Sequence, residues 1–321
     1  MSDFRIRGLR RTDAPAVTDL LAAAEAVDKT GEHFNLDDLL EDIANPMIDP
    51  SRDWLVVEAG ERVVAHSRLT PRAPADGALK VYVEGTVHPD FRRRGIGSEL
   101  VPAIVERAVS HVHERGDLRA VVAGQAQAGN TDLDKIFGSV GLTPDRWSFV
   151  MLADLASATD AEPAPPAGYT LSTWEGADHE ELRETHNRVF VPHPGFTPWS
   201  SEMWAQWVAG SRALRPALSL ILRDETGAVA AYVQSDEYDA VQQATGIREA
   251  YVAKVGTVPE HGRRGLAGTL LRIAMQRFRD AGFERASLDV DSENPSGALG
   301  IYERAGFRTE TRWISYRLAE G

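Results

Sequence analysis

The sequence contains one strand–turn–helix signature twice, and this repeat constrains the fold more than any other feature. Residues 86–100 read Thr-Val-His-Pro-Asp-Phe-Arg-Arg-Arg-Gly-Ile-Gly-Ser-Glu-Leu, and residues 257–270 read Thr-Val-Pro-Glu-His-Gly-Arg-Arg-Gly-Leu-Ala-Gly-Thr-Leu. Further along each copy, Phe-Gly-Ser-Val-Gly-Leu at 137–142 matches Tyr-Glu-Arg-Ala-Gly-Phe at 302–307, and an Arg-Trp pair follows each time. Three matches in the same order predict that one folding unit is duplicated.

The length and composition agree with two such units in a soluble globular protein. The chain has 321 residues, of which 43% are hydrophobic and 26% charged, and domains of roughly 150 residues are typical. A stretch rich in proline and alanine separates the two copies and cannot continue a helix or a sheet. We therefore predict an N-terminal domain over residues 1–155, a linker over 156–167 and a C-terminal domain over 168–321.

The composition also excludes several classes of function. The sequence has no cysteine, which removes disulfides, thiolate metal sites and cysteine nucleophiles. No run approaches the roughly 18 apolar residues of a membrane span, and the first residues lack the apolar core of a secretory signal, so we expect a cytoplasmic protein. The net charge of −13 argues against a nucleic-acid partner, because phosphate contacts need a basic face.

The hydrophobic patterns of the two copies predict the same order of elements. In the second copy we predict strands at 169–173, 218–223, 229–234, 249–257, 286–290 and 308–318, and helices at about 178–190, 201–208, 266–281 and after Asn294. In the first copy we predict strands at 4–9, 54–59, 62–69, 79–87 and 120–123, and a long helix that ends near residue 115. This order predicts an α/β fold of the α+β type, in which helices pack on both faces of a mixed sheet of parallel and antiparallel strands.

The glycine turn of each copy predicts an anion site. In the first copy, Arg-Arg-Arg-Gly-Ile-Gly at 92–97 follows a predicted strand and opens a predicted helix. The first turn of a helix carries unpaired N–H groups and the positive end of the dipole, and glycine lets a bulky anion approach them. A dinucleotide site needs three spaced glycines and an NTPase loop needs Gly-Lys-Ser/Thr, and neither pattern is present. Two copies in the same context favour an anion cradle over a solvated basic turn.

The motif order as a whole resembles the GNAT superfamily of acyl-CoA-dependent N-acetyltransferases. Its parts are a strand ending in Val-x-Pro, then Arg-x-x-Gly-x-Gly/Ala, a helix, a strand, Asn and Tyr-x-x-x-Gly-Phe. The resemblance covers both halves, and it implies two tandem GNAT domains that use acetyl-CoA, without a metal, to acetylate a primary amine. It implies coenzyme contacts in the first half from Val87, Arg92, Arg93, Arg94, Gly95, Ile96 and Gly97, and in the second half from Val255, Thr257, Arg263, Arg264, Gly265, Leu266, Ala267, Gly268 and Asn294. The second copy departs from the pattern at Gly262, where the family usually has arginine.

The resemblance also implies that Tyr302 is the general acid. A phenol with a pKa of about 10 is protonated at neutral pH and can give its proton to a leaving thiolate. The alternative is that Tyr302 is a half-buried aromatic of the helix. The first copy has Phe137 at this position, which has no proton to give, and residues 128–132 there lack the Asn-Pro pair. We therefore predict that the C-terminal domain is catalytic and that the N-terminal domain is degenerate.

An amine nucleophile also needs a base. Glu249, at the start of the strand that ends in the cradle, is the candidate, and the alternative is a solvated carboxylate at a strand end. Asp289 and Asp291 on the next predicted strand are weaker candidates. Backbone N–H groups over 255–257 are expected to polarise the thioester carbonyl.

The acceptor is predicted only as a class. The loop at 186–199 lies where the family forms its acceptor pocket, and its His186 and His193 lack a third ligand at metal spacing. A small-molecule primary amine is the first hypothesis. A protein lysine or N-terminal acetyltransferase and a non-catalytic acyl-CoA sensor are the alternatives, and the sequence does not predict the oligomeric state or the acyl chain length.

Overall fold

A computed structural model of the chain describes residues 4–156, 163–191, 193, 196–292 and 298–319. The chain forms two compact units. Unit 1 comprises residues 1–147 and 313–321, and unit 2 comprises residues 148–312.

Unit 1 is built on a mixed sheet with helices packed against it. Its strands are β1 (Phe4–Gly8), β2 (Trp54–Ala59), β3 (Arg62–Pro71), β4 (Ala78–Val87) and β5 (Arg119–Gln127). Its helices are α1 (Ala14–Asp28), α2 (Leu36–Ile43), α3 (Pro50–Asp53), α4 (Ile96–His113) and α5 (Thr131–Ser139). Neighbouring strands from β1 to β4 are antiparallel, whereas β4 and β5 are parallel.

Unit 2 repeats the order of the strands and of the long helix after the fourth strand, and it has one additional helix. After β6 (Thr143–Asp154), its strands are β7 (Thr170–Thr173), β8 (Leu220–Arg223), β9 (Val229–Asp236), β10 (Glu249–Thr257) and β11 (Arg285–Asp291). Its helices are α6 (His179–Phe190), α7 (Ser201–Trp204), α8 (Asp239–Thr245), α9 (Leu266–Asp280) and α10 (Ala298–Arg304), and the last strand of the chain is β12 (Arg308–Ala319). The additional helix is α8, between β9 and β10. Strands β7 to β10 are antiparallel to their neighbours, and β10 and β11 are parallel.

The apolar core of unit 2 lies on both faces of its sheet. Ile273 and Phe278 of α9 are buried against one face, and Leu182 of α6 belongs to a cluster on Tyr232 of β9. The α/β prediction is therefore confirmed. The predicted helix at 201–208 is α7, continued by one π-helical turn at Ala205–Ala209.

Each unit is completed by a strand from the other side of the linker. Residues 148–154 of β6 pair antiparallel with β11 of unit 2, where Met151 and Leu155 are buried in the core. Residues 313–319 of β12 pair antiparallel with β5 of unit 1, where Tyr316 is buried. The compact units therefore differ from the predicted cut at the linker. Ladder hydrogen bonds join backbone groups that every residue carries, so a strand pattern does not specify its neighbour.

Candidate active site

The predicted cradle of unit 2 is a tight turn between β10 and α9. The chain makes a 3₁₀ turn at Pro259–His261, and then Arg263 (φ 62°) and Gly265 (φ 76°) take the left-handed backbone conformation. Gly265 is the N-cap of α9. Among the described residues, no side chain forms a capping hydrogen bond at this end of the helix. Left-handed residues in such a turn direct backbone N–H groups to one side, which is the geometry that the predicted anion site requires.

Unit 1 repeats this backbone conformation, with Arg93 at φ 59° and Gly95 at φ 86°. Arg92, which stands where unit 2 has Gly262, donates to the Val87 carbonyl at 2.9 Å and to both carboxylate oxygens of Asp28 at 2.6 Å. In unit 1 the arginine therefore ties the turn to α1. Its absence from unit 2 removes that tie and leaves the turn conformation intact.

The other arginines keep positive charge beside each predicted anion site. Arg264 donates to the Tyr169 hydroxyl at 3.0 Å, and Arg94 donates to the Asp90 carbonyl at 2.8 Å. Arg263 is exposed on the surface of the turn. An anion bound to the backbone donors would thus meet a guanidinium in either unit.

Helix α10, which carries Tyr302, packs on the first turn of α9. A Cβ atom built on Gly268 would lie 3.7 Å from Cγ2 of Ile301, so the residue before Tyr302 contacts the cradle helix. Tyr302 is 9% exposed, and burial raises its pKa to about 12. Its phenol therefore stays protonated at neutral pH. Asn294, a predicted coenzyme contact, lies outside the described residues.

Helix α5 occupies the corresponding place in unit 1. A Cβ atom built on Gly97 would lie 3.2 Å from Cδ1 of Ile136. The next residue, Phe137, is buried, and its ring covers Gly124 so closely that an added Cβ would lie 2.8 Å from Cζ. The Phe137 ring also lies 5.0 Å from the Tyr316 ring. Unit 1 therefore has an apolar phenyl ring, that of Phe137, at the position where unit 2 has the phenol of Tyr302.

The two parallel strands of unit 2, β10 and β11, separate after only three paired residues. Strands β10 and β11 are in register only over 249–251, and the register between β9 and β10 shifts around Ala253, which marks a β-bulge. Near the end of β10, the Thr257 hydroxyl is buried without a hydrogen-bond partner among the described residues. In unit 1, β4 pairs with β5 over 78–83 and its ladder with β3 is continuous. The predicted contacts Val255 and Thr257 thus lie on the part of β10 that has left β11.

Glu249 lies at the beginning of β10, where the parallel strands are still paired. Its carboxylate forms an ion pair with Arg285 and accepts a hydrogen bond from the Ser287 hydroxyl at 2.5 Å. These contacts tie β10 to β11 and supply the carboxylate with positive charge. The assignment of Glu249 as the base stays a prediction.

Sequence reasoning missed three polar side chains at this point of the sheet. The Tyr251 hydroxyl donates to Asp289, the weaker base candidate, at 2.8 Å. Gln234 and Asp236 alternate along β9, and both are buried. The signal that could have found them is the polar run Gln-Ser-Asp at 234–236, which ends a largely apolar strand. Asp291 pairs in register with Ser148 at the end of β11.

The predicted acceptor loop contributes aromatic rings to the face of the sheet that α6 covers. His186 is buried, its Nδ1 lies 2.8 Å from the Tyr232 hydroxyl, and burial lowers its pKa to about 3. A neutral histidine among aromatic rings is a packing residue. The Lys254 ammonium lies 4.6 Å from the centroid of the Trp199 ring, so the loop also borders a cationic side chain of β10.

Clusters of metal-ligating side chains and membrane-spanning helices are both absent from the described part of the chain. No group of three or more histidine, aspartate or glutamate side chains is arranged there as a metal site. Among the same residues, no helix has the length and apolar character needed to cross a membrane.

The fold and the repeated cradle define a class of enzyme. The sequence profile of the Acetyltransferase (GNAT) family matches residues 16–137 and 179–307. The chain belongs to this family, which uses acyl-CoA, and it is an N-acetyltransferase with two tandem GNAT regions. The prediction of two tandem GNAT regions is therefore confirmed.

Individual relatives match the chain over nearly their full length. The chain is 30% identical to the mycothiol acetyltransferase of Tsukamurella paurometabola, over 95% of this chain and 96% of that protein. It is 29% identical to the mycothiol acetyltransferase of a Parafrankia species, over 97% of each. Its fold is similar to that of a GCN5-related N-acetyltransferase from Sphaerobacter thermophilus, with a TM-score of 0.77 and 24% identity over 99% of this chain and 96% of that one.

Proposed function

We propose that unit 2 transfers an acetyl group from acetyl-CoA to the primary amine of a small molecule. The observation that carries the proposal is Tyr302, a buried and protonated phenol on α10, the helix whose Ile301 contacts the first turn of the cradle helix. A degenerate first copy followed by an intact second copy resembles mycothiol synthase. The relatives named mycothiol acetyltransferase support the amine of a small molecule as the acceptor.

The residues of unit 2 fit an acyl-CoA. The uncapped N–H groups over 265–268 would hold the pyrophosphate, with Arg263 and Arg264 as counter-charges. The Thr257 hydroxyl, which has no partner among the described residues, and the part of β10 that is not paired with β11 offer polar groups to the arm of the coenzyme that carries the thioester. Bound acetyl-CoA supplies an activated acetyl thioester and a thiolate leaving group.

The groups near the separation of β10 and β11 would then have different roles in the reaction. Backbone N–H groups over 255–257 would donate to the acyl carbonyl oxygen, where negative charge develops. The Tyr302 hydroxyl would donate its proton to the departing sulfur. Phe137 has no proton to give, so in this proposal unit 1 has no corresponding step.

Acetyl transfer to small and macromolecular amines tests the proposal. We expect acetylation of the amine of Cys-GlcN-Ins, the small-molecule precursor on which a mycothiol acetyltransferase acts, and mass spectrometry detects the product. We expect kcat/KM for this amine to be at least about 100-fold above that for a lysine peptide, a difference of about 3 kcal/mol. Turnover confined to the peptide would favour a protein acetyltransferase. Binding of acetyl-CoA without turnover across a panel of amines would favour a sensor.

Gly265→Ala is expected to weaken coenzyme binding. Gly265 has φ 76°, and a Cβ in this conformation costs about 1–2 kcal/mol, so the turn relaxes and its donors lose their alignment. We expect KM for acetyl-CoA to rise about tenfold, the equivalent of about 1.4 kcal/mol. Gly246→Ala is the matched control, because Gly246 also has φ 76° and lies after α8, away from the cradle. An equal rise of KM in both variants would contradict the assignment of the cradle.

A further inference from the structure

A chain of polar contacts leads from the cradle of unit 2 to the neighbouring strands. The Arg264 guanidinium donates to the Tyr169 hydroxyl at 3.0 Å. The same hydroxyl oxygen lies 2.9 Å from Nδ1 of His261, and Nε2 of His261 lies 3.3 Å from Oδ2 of Asp224. Tyr169 directly precedes β7, Asp224 directly follows β8, and His261 ends the 3₁₀ turn of the cradle. We call Tyr169, His261 and Asp224 the Arg264 support.

The hydrogen positions in this chain follow from the arginine at one end. A guanidinium only donates, so the Tyr169 oxygen accepts from Arg264 and its own O–H donates to Nδ1 of His261. In the neutral imidazole the remaining proton then lies on Nε2, which faces the Asp224 carboxylate. Each donor therefore meets an acceptor, and a lone pair of the Tyr169 oxygen is kept directed toward Arg264.

The support is itself held in place by the surrounding fold. Oδ1 of Asp224 accepts from the backbone N–H of Thr226 at 2.9 Å and from its hydroxyl at 2.6 Å, which leaves Oδ2 for His261. The Tyr169 ring packs against the apolar core of unit 2, and its centroid lies 5.6 Å from the His261 ring in an edge-on arrangement. The Tyr169 hydroxyl therefore has a fixed position relative to the cradle.

This hydroxyl fixes an arginine at the start of the cradle helix. Arg264 directly precedes Gly265, the N-cap of α9. It also donates to the Glu260 carbonyl at 3.4 Å, so its guanidinium lies against the 3₁₀ turn. Arg264 is exposed, and a free arginine side chain loses rotamer freedom when it binds a ligand. A guanidinium that is already held beside the uncapped N–H groups loses less of that freedom when an anion binds.

The three positions of the support are apolar in unit 1. Phe4 and Ala59 face each other at the end of the β1–β2 ladder that corresponds to the β7–β8 ladder, and Phe91 ends the corresponding 3₁₀ turn. All three side chains pack against one apolar cluster of unit 1. They stand in unit 1 where unit 2 has Tyr169, Asp224 and His261, respectively.

Unit 1 nevertheless keeps an arginine next to its cradle. Arg94 is the counterpart of Arg264, and its guanidinium carbon lies 4.9 Å from the centroid of the Phe91 ring. Arg62 lies 5.3 Å from the same ring. The fold therefore packs equally well with hydrocarbon at these positions, and three matched polar replacements in one copy indicate a role in what that copy binds.

We propose that Tyr169, His261 and Asp224 are positioning residues of the coenzyme site of unit 2, and that they hold the Arg264 guanidinium in place for a phosphate group of the acyl-CoA. This inference rests on the proposed function, in which the cradle of unit 2 binds the coenzyme. Hydrogen bonds between a guanidinium and a phosphate are charge-assisted and depend on geometry. The support acts through Arg264, so it should affect the binding of the coenzyme and leave the chemical step unchanged.

Tyr169→Phe tests the inference, because it removes the acceptor of Arg264 and keeps the ring that unit 1 has at this position. We expect KM for acetyl-CoA to rise about fivefold to tenfold, while kcat changes less than about twofold. Calorimetry should show the same rise in the Kd of unit 2 for acetyl-CoA. Any binding of acetyl-CoA to unit 1, which lacks the support, should keep its Kd.

A double-mutant cycle shows whether Tyr169 acts through the arginine. Coupled residues give effects that do not add, so in an Arg264→Ala background Tyr169→Phe should change KM less than about twofold. His261→Leu should raise KM as Tyr169→Phe does, and His261→Asn, whose amide oxygen can accept from the Tyr169 hydroxyl, should recover most of the loss. Tyr316→Phe, which removes a hydroxyl bonded to Asp134 in unit 1, is the control and should leave KM and Kd unchanged.

The outcomes separate this inference from the proposed function. An unchanged KM and Kd in Tyr169→Phe, or an equal effect of this substitution with and without Arg264, would overturn the positioning role while leaving acetyl transfer in place. A wild-type protein that binds acetyl-CoA but acetylates no amine would overturn the proposed function, and the Kd values would still decide the role of the support.

Discussion

Replacing Tyr302 with phenylalanine is expected to lower kcat by roughly 100- to 1000-fold at neutral pH, the range typical of a lost general acid. The substitution removes one oxygen from a ring that is 9% exposed and packed near Phe307. The core is therefore preserved, and KM for acetyl-CoA should change less than threefold. Because burial raises the pKa of Tyr302 to about 12, the phenol itself should cause no loss of rate as the pH rises from 7 to 10. Steady-state kinetics with thiol detection measure all three quantities.

Tyr316→Phe is the matched control for this experiment. Tyr316 is also buried, and its hydroxyl donates to Asp134 in unit 1. Its removal should lower the free energy of unfolding by about 1.5–3 kcal/mol and leave kcat unchanged. Wild-type kcat in Tyr302→Phe would contradict the assignment of the acid, and an equal loss in both variants would place the effect in folding.

Separating the chain at the linker is expected to abolish both folding and activity of the isolated pieces. Residues 1–155 expressed alone would lack the strand at 313–319 that pairs with β5, and residues 168–321 would lack the strand at 148–154 that pairs with β11. The second piece also loses the burial of Met151 and Leu155, each worth about 1.5–3 kcal/mol. That loss approaches the total stability of about 5–15 kcal/mol of a domain, and it exposes an unpaired strand edge.

Co-expression of the two pieces provides the control. Together they contain every strand of both units, so we expect a cooperative unfolding transition and acetyltransferase activity to return. Circular dichroism during urea titration measures the first and thiol release the second. A piece spanning 168–321 that unfolds cooperatively and has wild-type kcat by itself would contradict this expectation.

The repeat, the class of fold and the position of the cradle could all be predicted from the sequence. They depend on local patterns: glycine and arginine at fixed spacing after a strand, and a helix that begins at the same place in both copies. The correspondence of Tyr302 with Phe137 was predictable for the same reason, because each lies in a short motif whose neighbours are adjacent in the chain. Local conformation is largely set by local residues, so these predictions needed no knowledge of distant contacts.

Two features were decided only by the tertiary structure. The first is which strand completes each unit, since residues 148–154 and 313–319 have strand patterns that indicate a buried face and leave the partner open. The second is the cluster around Tyr251, whose members come from β9, β10 and β11 and meet because of the strand register and a bulge of one residue. A period of two reports which face a side chain takes, whereas its neighbours across the sheet depend on the register of whole strands, which only the folded chain determines.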